Sequence, residues 1–224
     1  MTRSRMLRSL VRLRRHPSAV LLLVQLGGVL MYPFLEHTAT GRALFGVLGL
    51  GVLAAALWVV RRGPWLTWVG SLIALPVVAL LVLQALRPDP HLLVLTSALE
   101  AAFYYYAAGS LISYMLQDEF ASTDELFAAG ATFTLLAWAF AHTYVVCEAL
   151  VPGSFAAAVN PDSARSWMEL LFLSFTVLSG VGLGDIIPLS PMARSLVMLE
   201  EFTGVMYIAL VVSRLIGLTV ARRQ

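Results

Sequence analysis

The chain has 224 residues, 59% of them hydrophobic and 12% charged, with a formal net charge of +2 and a mean hydropathy of +0.84. So apolar a composition excludes a water-soluble domain or a nucleic-acid binder and requires most of the chain to sit in lipid. The single cysteine, Cys147, lies inside an apolar run, so no disulfide framework exists within the chain and the residue reads as packing.

All fixed positive charge is arginine, and Arg3, Arg5, Arg8, Arg12, Arg14 and Arg15 precede the first apolar run. Met6, Leu7, Leu10 and Val11 interleave with them, so residues 1–17 read either as an interfacial helix on anionic lipid or as a topogenic tail. The run over 18–35 is long and no small-residue cleavage pattern follows it, which makes it an uncleaved span rather than a signal peptide. Further apolar runs cover 43–60, 65–86, 92–116, 126–151 and 192–213, each near the ~20 residues that a hydrocarbon core of ~30 Å requires. The first four spans form a peripheral unit over 18–117, and 118–125 is a solvated cytoplasmic linker bearing Asp118, Glu119, Asp124 and Glu125. Ser122 or Thr123 is placed to cap the fifth helix, which opens a second unit over 126–224. With six spans, Arg61, Arg62, Arg214, Arg222 and Arg223 fall on the side of the N-terminal arginines, against Arg42, Arg87, Arg165 and Arg194 on the other. The positive-inside rule then puts both termini in the cytoplasm. Only 219–224 follow the last span, which leaves no room there for a soluble regulatory domain.

Polar residues inside the spans are few. Glu100, near the middle of the fourth, must be paired or face a cavity, and it reads either as a functional group or as a hydrogen-bonded structural carboxyl. Tyr104, Tyr105 and Tyr106 are consecutive, so they point in different directions and read as packing and hydrogen-bonding residues. His142 in the fifth span reads as a helix-packing histidine, and no His, Cys or carboxylate cluster has metal-ligand spacing.

The most informative segment lies between the last two spans. Residues 166–178 form an apolar stretch of about 13 residues, too short to cross a bilayer and suited to a half-helix. Ser179-Gly180-Val181-Gly182-Leu183-Gly184-Asp185 follows. Non-helical backbone at membrane depth is tolerated where it is buried or lines water, and cation filters are built from backbone carbonyls. The alternating glycines accept either sign of φ and let successive carbonyls face one axis, so the carbonyls of Gly180, Val181, Gly182 and Leu183 are the expected ligands of a monovalent cation. Pro188 and Pro191 close the outer turn and start the last helix, with Asp185 at the outer mouth. The expected fold is therefore an all-α membrane protein of six transmembrane helices, with a re-entrant pore helix and filter loop between the fifth and sixth.

The run Ser174-Phe175-Thr176-Val177-Leu178-Ser179-Gly180-Val181-Gly182-Leu183-Gly184-Asp185, followed by Pro188, resembles the pore signature of the potassium channel superfamily, Thr-Val-Gly-Tyr-Gly-Asp with a proline shortly after. Ala193-Arg194-Ser195-Leu196, Glu200-Glu201 and Gly204 look like the start of its inner helix, Arg214-Leu215-Ile216-Gly217-Leu218 like its cytoplasmic end, and Pro152-Gly153-Ser154-Phe155 like the segment before the pore helix in bacterial six-helix members. The resemblance covers 126–224 well and the first four helices in number and order. It implies a homotetramer with four loops around one axis, a bacterial inner membrane, lipid as the surrounding partner, and no cofactor beyond K⁺ as permeant ion. It makes Phe172, Phe175 and Thr176 supports of the filter, with Trp167 farther back. Glu200 and Glu201 either brace the filter or face the conduction path, and Gly204 serves as an inner-helix hinge or a close-packing site.

Two positions depart from the signature: Gly180 stands where the family has threonine, removing a hydroxyl ligand, and Leu183 stands where it has tyrosine, removing a bracing phenol. Ser179 aligns with the helix junction and does not replace the hydroxyl. The span over 92–116 contains no arginine, so voltage gating by moving charge is not expected. The implied function is a cation channel with potassium as the leading ion. A non-selective cation channel or a non-conducting structural homologue is the alternative, and an intramembrane serine protease using Ser179 and His142 a distant one. A secondary transporter would show broken helices in both halves, and only one break is present.

Overall fold

A computed structural model describes residues 16–35, 39–61, 67–87, 89–117, 122–161 and 163–221. The basic tail through Arg15, together with Arg62, Asp118, Glu119, Arg222 and Arg223, lies outside the described residues. The helices are α1 (Pro17–Leu35), α2 (Ala39–Val60), α3 (Thr67–Leu86), α4 (Pro90–Met115), α5 (Thr123–Leu150), α6 (Trp167–Leu178) and α7 (Pro191–Met206). A π-helical segment, Tyr207–Val212, carries α7 directly into α8 (Ser213–Ala221). Among the described residues, Pro90–Met115, Thr123–Leu150 and Pro191–Leu218 are long and apolar enough to cross a membrane, while Pro17–Tyr32, Gly49–Val60 and Trp68–Gln84 are shorter apolar helices. The chain is thus a largely helical membrane protein.

The helix starts follow from capping chemistry. Ser122 accepts the Glu125 amide (3.2 Å) while the Glu125 carboxylate accepts the Ser122 amide (3.1 Å), which settles the Ser122-or-Thr123 choice for α5. α6 begins with the same reciprocal pair, Ser166 and Glu169. Asp89 before Pro90, and Ser190 before Pro191, accept amides from the first turns of α4 and α7.

α5 is the centre of the molecule, packed against α1, α4 and α6. Ala131, Ala137, Ala139 and Ala141 are fully buried on it, and small side chains let neighbouring backbones approach closely. Thr134 donates to Gln25 of α1 (2.6 Å), and Ser18 of α1 donates to Asp124 (3.0 Å). Asp124 and Glu125 are therefore buried partners of a helix and a cap, a correction to the solvated linker expected there: their side chains serve the start of α5. One continuous apolar core runs from Leu21 of α1 to Leu215 of α8, so the expected division at 118–125 is not a break in packing.

Two three-residue strands, β1 (Phe155–Ala157) and β2 (Ile186–Pro188), pair antiparallel and add a small sheet to the expected all-α fold. The pairing continues outward, with Ala158 N–H donating to Asp185 (3.0 Å) and Leu189 N–H to Ser154 (2.7 Å). Pro188 is consequently the last residue of a strand, opposite Phe155, rather than part of a free turn. Proline is tolerated there because a strand end at a sheet edge needs no amide donor.

Candidate functional site

The segment of interest begins where α6 ends. The 12-residue helix points its C-terminal end at the glycine loop, and the last carbonyls of a helix carry a partial negative charge that favours cations. Thr176 organises the junction. Its carbonyl accepts the amides of both Val181 and Gly182, each at 2.9 Å, and the Ser179 hydroxyl at 3.2 Å. Ser179 is thus turned back to the helix end.

This bonding fixes where the loop carbonyls go. In a trans peptide the C=O points opposite to the N–H of the next residue. Because the Val181 and Gly182 amides both face Thr176, the carbonyls of Gly180 and Val181 both point away from α6. Among the described residues, no hydrogen bond is donated to the carbonyls of Gly180, Val181, Gly182 or Leu183. Gly180, Gly182 and Gly184 have φ of 73°, 56° and 71°, while Val181 and Leu183 between them do not have positive φ. A Cβ at any of the three would meet nothing within 4 Å, so glycine is required there by backbone conformation and not by space. Val181 and Leu183 are each 63% exposed on the single chain, and Asp185 is exposed beyond them.

The expected supports separate into distinct roles. Glu200 is fully buried and accepts hydrogen bonds from Tyr144 of α5 and Ser174 of α6; Ser174 Oγ also lies 2.9 Å from the Ala137 carbonyl. One carboxylate therefore ties α5, α6 and α7 together behind the loop. Glu201, one residue on, is exposed. Thr176 acts through its backbone carbonyl, its own hydroxyl donating to Leu173 (2.8 Å). Phe175 is turned toward Phe133 of α5, with ring centroids 6.0 Å apart, and Phe172 is exposed.

Gly204 is a close-packing position. A Cβ there would overlap the Leu178 carbonyl and come within 2.8 Å of its carbon, so α7 crosses the end of α6 backbone to backbone. Of the two readings of Gly204, hinge or close-packing site, the close approach matches the second; the π-helical irregularity in the last helix lies later, at Tyr207–Val212, where Tyr207 donates to the Ala129 carbonyl (2.6 Å). His142 Nδ1 lies 3.3 Å from Glu100 Oε2, and Ser179 donates to Thr176. No hydrogen bond joins Ser179 and His142 among the described residues, which leaves the protease pair unassembled.

Tyr144, Ser174 and Leu178 were not singled out from sequence. Glu200 signalled that some partner must exist, because a carboxylate at membrane depth is paired, but the partners lie 56 and 26 residues away in sequence.

Residues 132–221, which hold most of α5 with α6, α7 and α8, match the family model described as an ion channel. No curated protein and no solved structure matches the chain.

Proposed function

We propose that this protein is a subunit of a homotetrameric cation channel, most concretely a potassium channel, whose ions pass along the carbonyls of Gly180, Val181, Gly182 and Leu183. The observation that carries this reading is the common orientation of the Gly180 and Val181 carbonyls, away from α6 and without a protein donor, next to the negative end of that helix. In this reading α6 and the loop form a re-entrant hairpin within a six-span chain, both termini are cytoplasmic, and Asp185 stands at the outer mouth. One loop does not enclose an ion, and closed cyclic symmetry supplies the other three. The exposed Met198, Leu199, Phe202 and Val205 of α7 support an assembly in which the last helix meets neighbouring subunits. Four loops would bring Asp185 into an acidic ring that concentrates cations. α4 carries no arginine, so the channel does not gate by moving arginine charge through the membrane field.

The test is cation flux through the purified protein in liposomes under potassium and sodium gradients, with Gly180→Thr plus Leu183→Tyr run in parallel. Potassium flux exceeding sodium flux is the expected result. Equal fluxes would make the pore non-selective, in line with the missing threonine hydroxyl and tyrosine ring. Flux from the double variant alone would place a defect in the native loop, and no flux from either would favour a non-conducting homologue.

A further inference from the structure

Behind the loop, Glu200 of α7, Tyr144 of α5 and Ser174 of α6 are all fully buried, and so is Ala137. Three contacts join them: Tyr144 OH with Glu200 Oε2, Ser174 Oγ with Glu200 Oε1, and Ser174 Oγ with the Ala137 carbonyl at 2.9 Å. Each contact needs one proton, and a tyrosine and a serine supply one apiece. If Glu200 is a carboxylate, both protons go to it, and the Ser174 oxygen is left against the Ala137 carbonyl as acceptor facing acceptor. A proton on Glu200 Oε1 removes the conflict. The acid then donates to Ser174, Ser174 donates to Ala137, and Tyr144 donates to Oε2, so three protons serve three contacts.

Charge leads to the same count. Among the described residues, neither arginine nor histidine forms an ion pair with Glu200. The other titratable groups close to it are Tyr105 of α4, whose hydroxyl meets Thr143 (3.2 Å), and the exposed Glu201 on the next position of α7; neither supplies positive charge. A carboxylate buried without a cation is strongly disfavoured, and such groups take up a proton instead. We propose that Glu200 is held as a neutral carboxylic acid, its proton given to Ser174, and that this proton completes the bridge between α5, α6 and α7.

Glu200 thereby becomes a positioning residue. Ser174 stands two residues before Thr176, whose carbonyl holds the Val181 and Gly182 amides, so the turn of α6 that the acid anchors is the turn that fixes the loop. A neutral Glu200 adds no charge behind the loop and leaves its negative field to the C-terminal end of α6 and to Asp185. What this means for ions rests on the channel reading; the proton itself does not.

The experiment is infrared spectroscopy of the full chain in lipid vesicles at neutral pH, comparing wild type with Glu200→Gln and Tyr144→Phe. The carbonyl stretch of a protonated carboxylic acid is separate from the carboxylate bands, and Glu100, present in every sample, cancels in difference spectra. Glu200→Gln supplies the amide counterpart of the neutral acid, with a donor for Ser174 and an acceptor for Tyr144. It is expected to lose one protonated-acid band while the carboxylate bands stay unchanged. Tyr144→Phe, which frees the Oε2 carbonyl, is expected to move that band to higher frequency. Loss of carboxylate intensity in Glu200→Gln, or an acid region that neither variant alters, overturns the proposal. If Glu200→Gln does not fold, Tyr144→Phe decides alone: a shifted acid band supports the neutral acid and an unaltered one overturns it. Because the spectra are read without ion flux, a silent pore leaves the result standing, and a conducting pore does not rescue an ionised Glu200.

Discussion

α5 and the last helix are both 28 residues long and both apolar, yet 61% of the most apolar window of α5 is buried within the chain against 28% for Pro191–Leu218. α5 meets its partners inside the protomer: Thr134 with Gln25, His142 beside Glu100, Tyr144 with Glu200. The last helix satisfies only its inner stripe, through Glu200, Gly204 and Tyr207, and leaves Met198, Leu199, Phe202 and Val205 uncovered. The difference teaches that hydropathy reports how apolar a helix is and not what covers it. α5 is covered by its own chain, while the outer face of the last helix is left bare by it.

Substitutions that separate the two helices test this contrast. Leu135→Ala on α5 removes fully buried atoms and is expected to destabilise the protein by about 2–5 kcal/mol, read as a lower midpoint of unfolding in detergent. Phe202→Ala on the exposed face is expected instead to shift native mass spectra toward smaller assemblies while leaving monomer unfolding unchanged; the reverse pattern would break the comparison. Gly204→Ala pushes α7 off the end of α6 and is expected to cost about 1–3 kcal/mol, measured by the same unfolding assay.

Glu200→Leu leaves the Tyr144 hydroxyl without its acceptor and is expected to lose about 1–3 kcal/mol, whereas Glu200→Gln, which keeps an acceptor, retains most of that stability. A smaller effect is expected from Gly182→Ala, where only the positive φ opposes the new Cβ, at about 1–2 kcal/mol; its diagnostic is a change in liposome flux exceeding the change in unfolding midpoint. Glu201→Gln on the exposed side is expected to move stability by less than about 0.5 kcal/mol, so a large loss there would place Glu201 in a buried interface between subunits.

Much of the site was legible in local sequence, because its determinants are local. A half-helix too short to span, three glycines at alternate positions and a proline starting the next helix each announce a backbone requirement within a few residues. What sequence did not separate was Glu200 from Glu201. The two are adjacent and chemically the same, and only helix rotation against Tyr144 and Ser174 buries one of them. Gly204 was likewise readable as special without a choice between hinge and packing site, since the Leu178 carbonyl it faces lies 26 positions earlier and on another helix. β1 and β2, at three residues each, are too short for alternation to register.

The small sheet has a mechanical consequence. The glycine loop is clamped at one end by the Thr176 carbonyl, which holds Val181 and Gly182, and at the other by the ladder, where Ala158 holds Asp185. Between those clamps stand only Leu183 and Gly184. A beam fixed at both ends yields where it is unsupported, and here the unsupported part is the three peptides that link Gly182 to Asp185. Rotation of those plates would turn the Gly182, Leu183 and Gly184 carbonyls while leaving the Gly180 and Val181 carbonyls where they are.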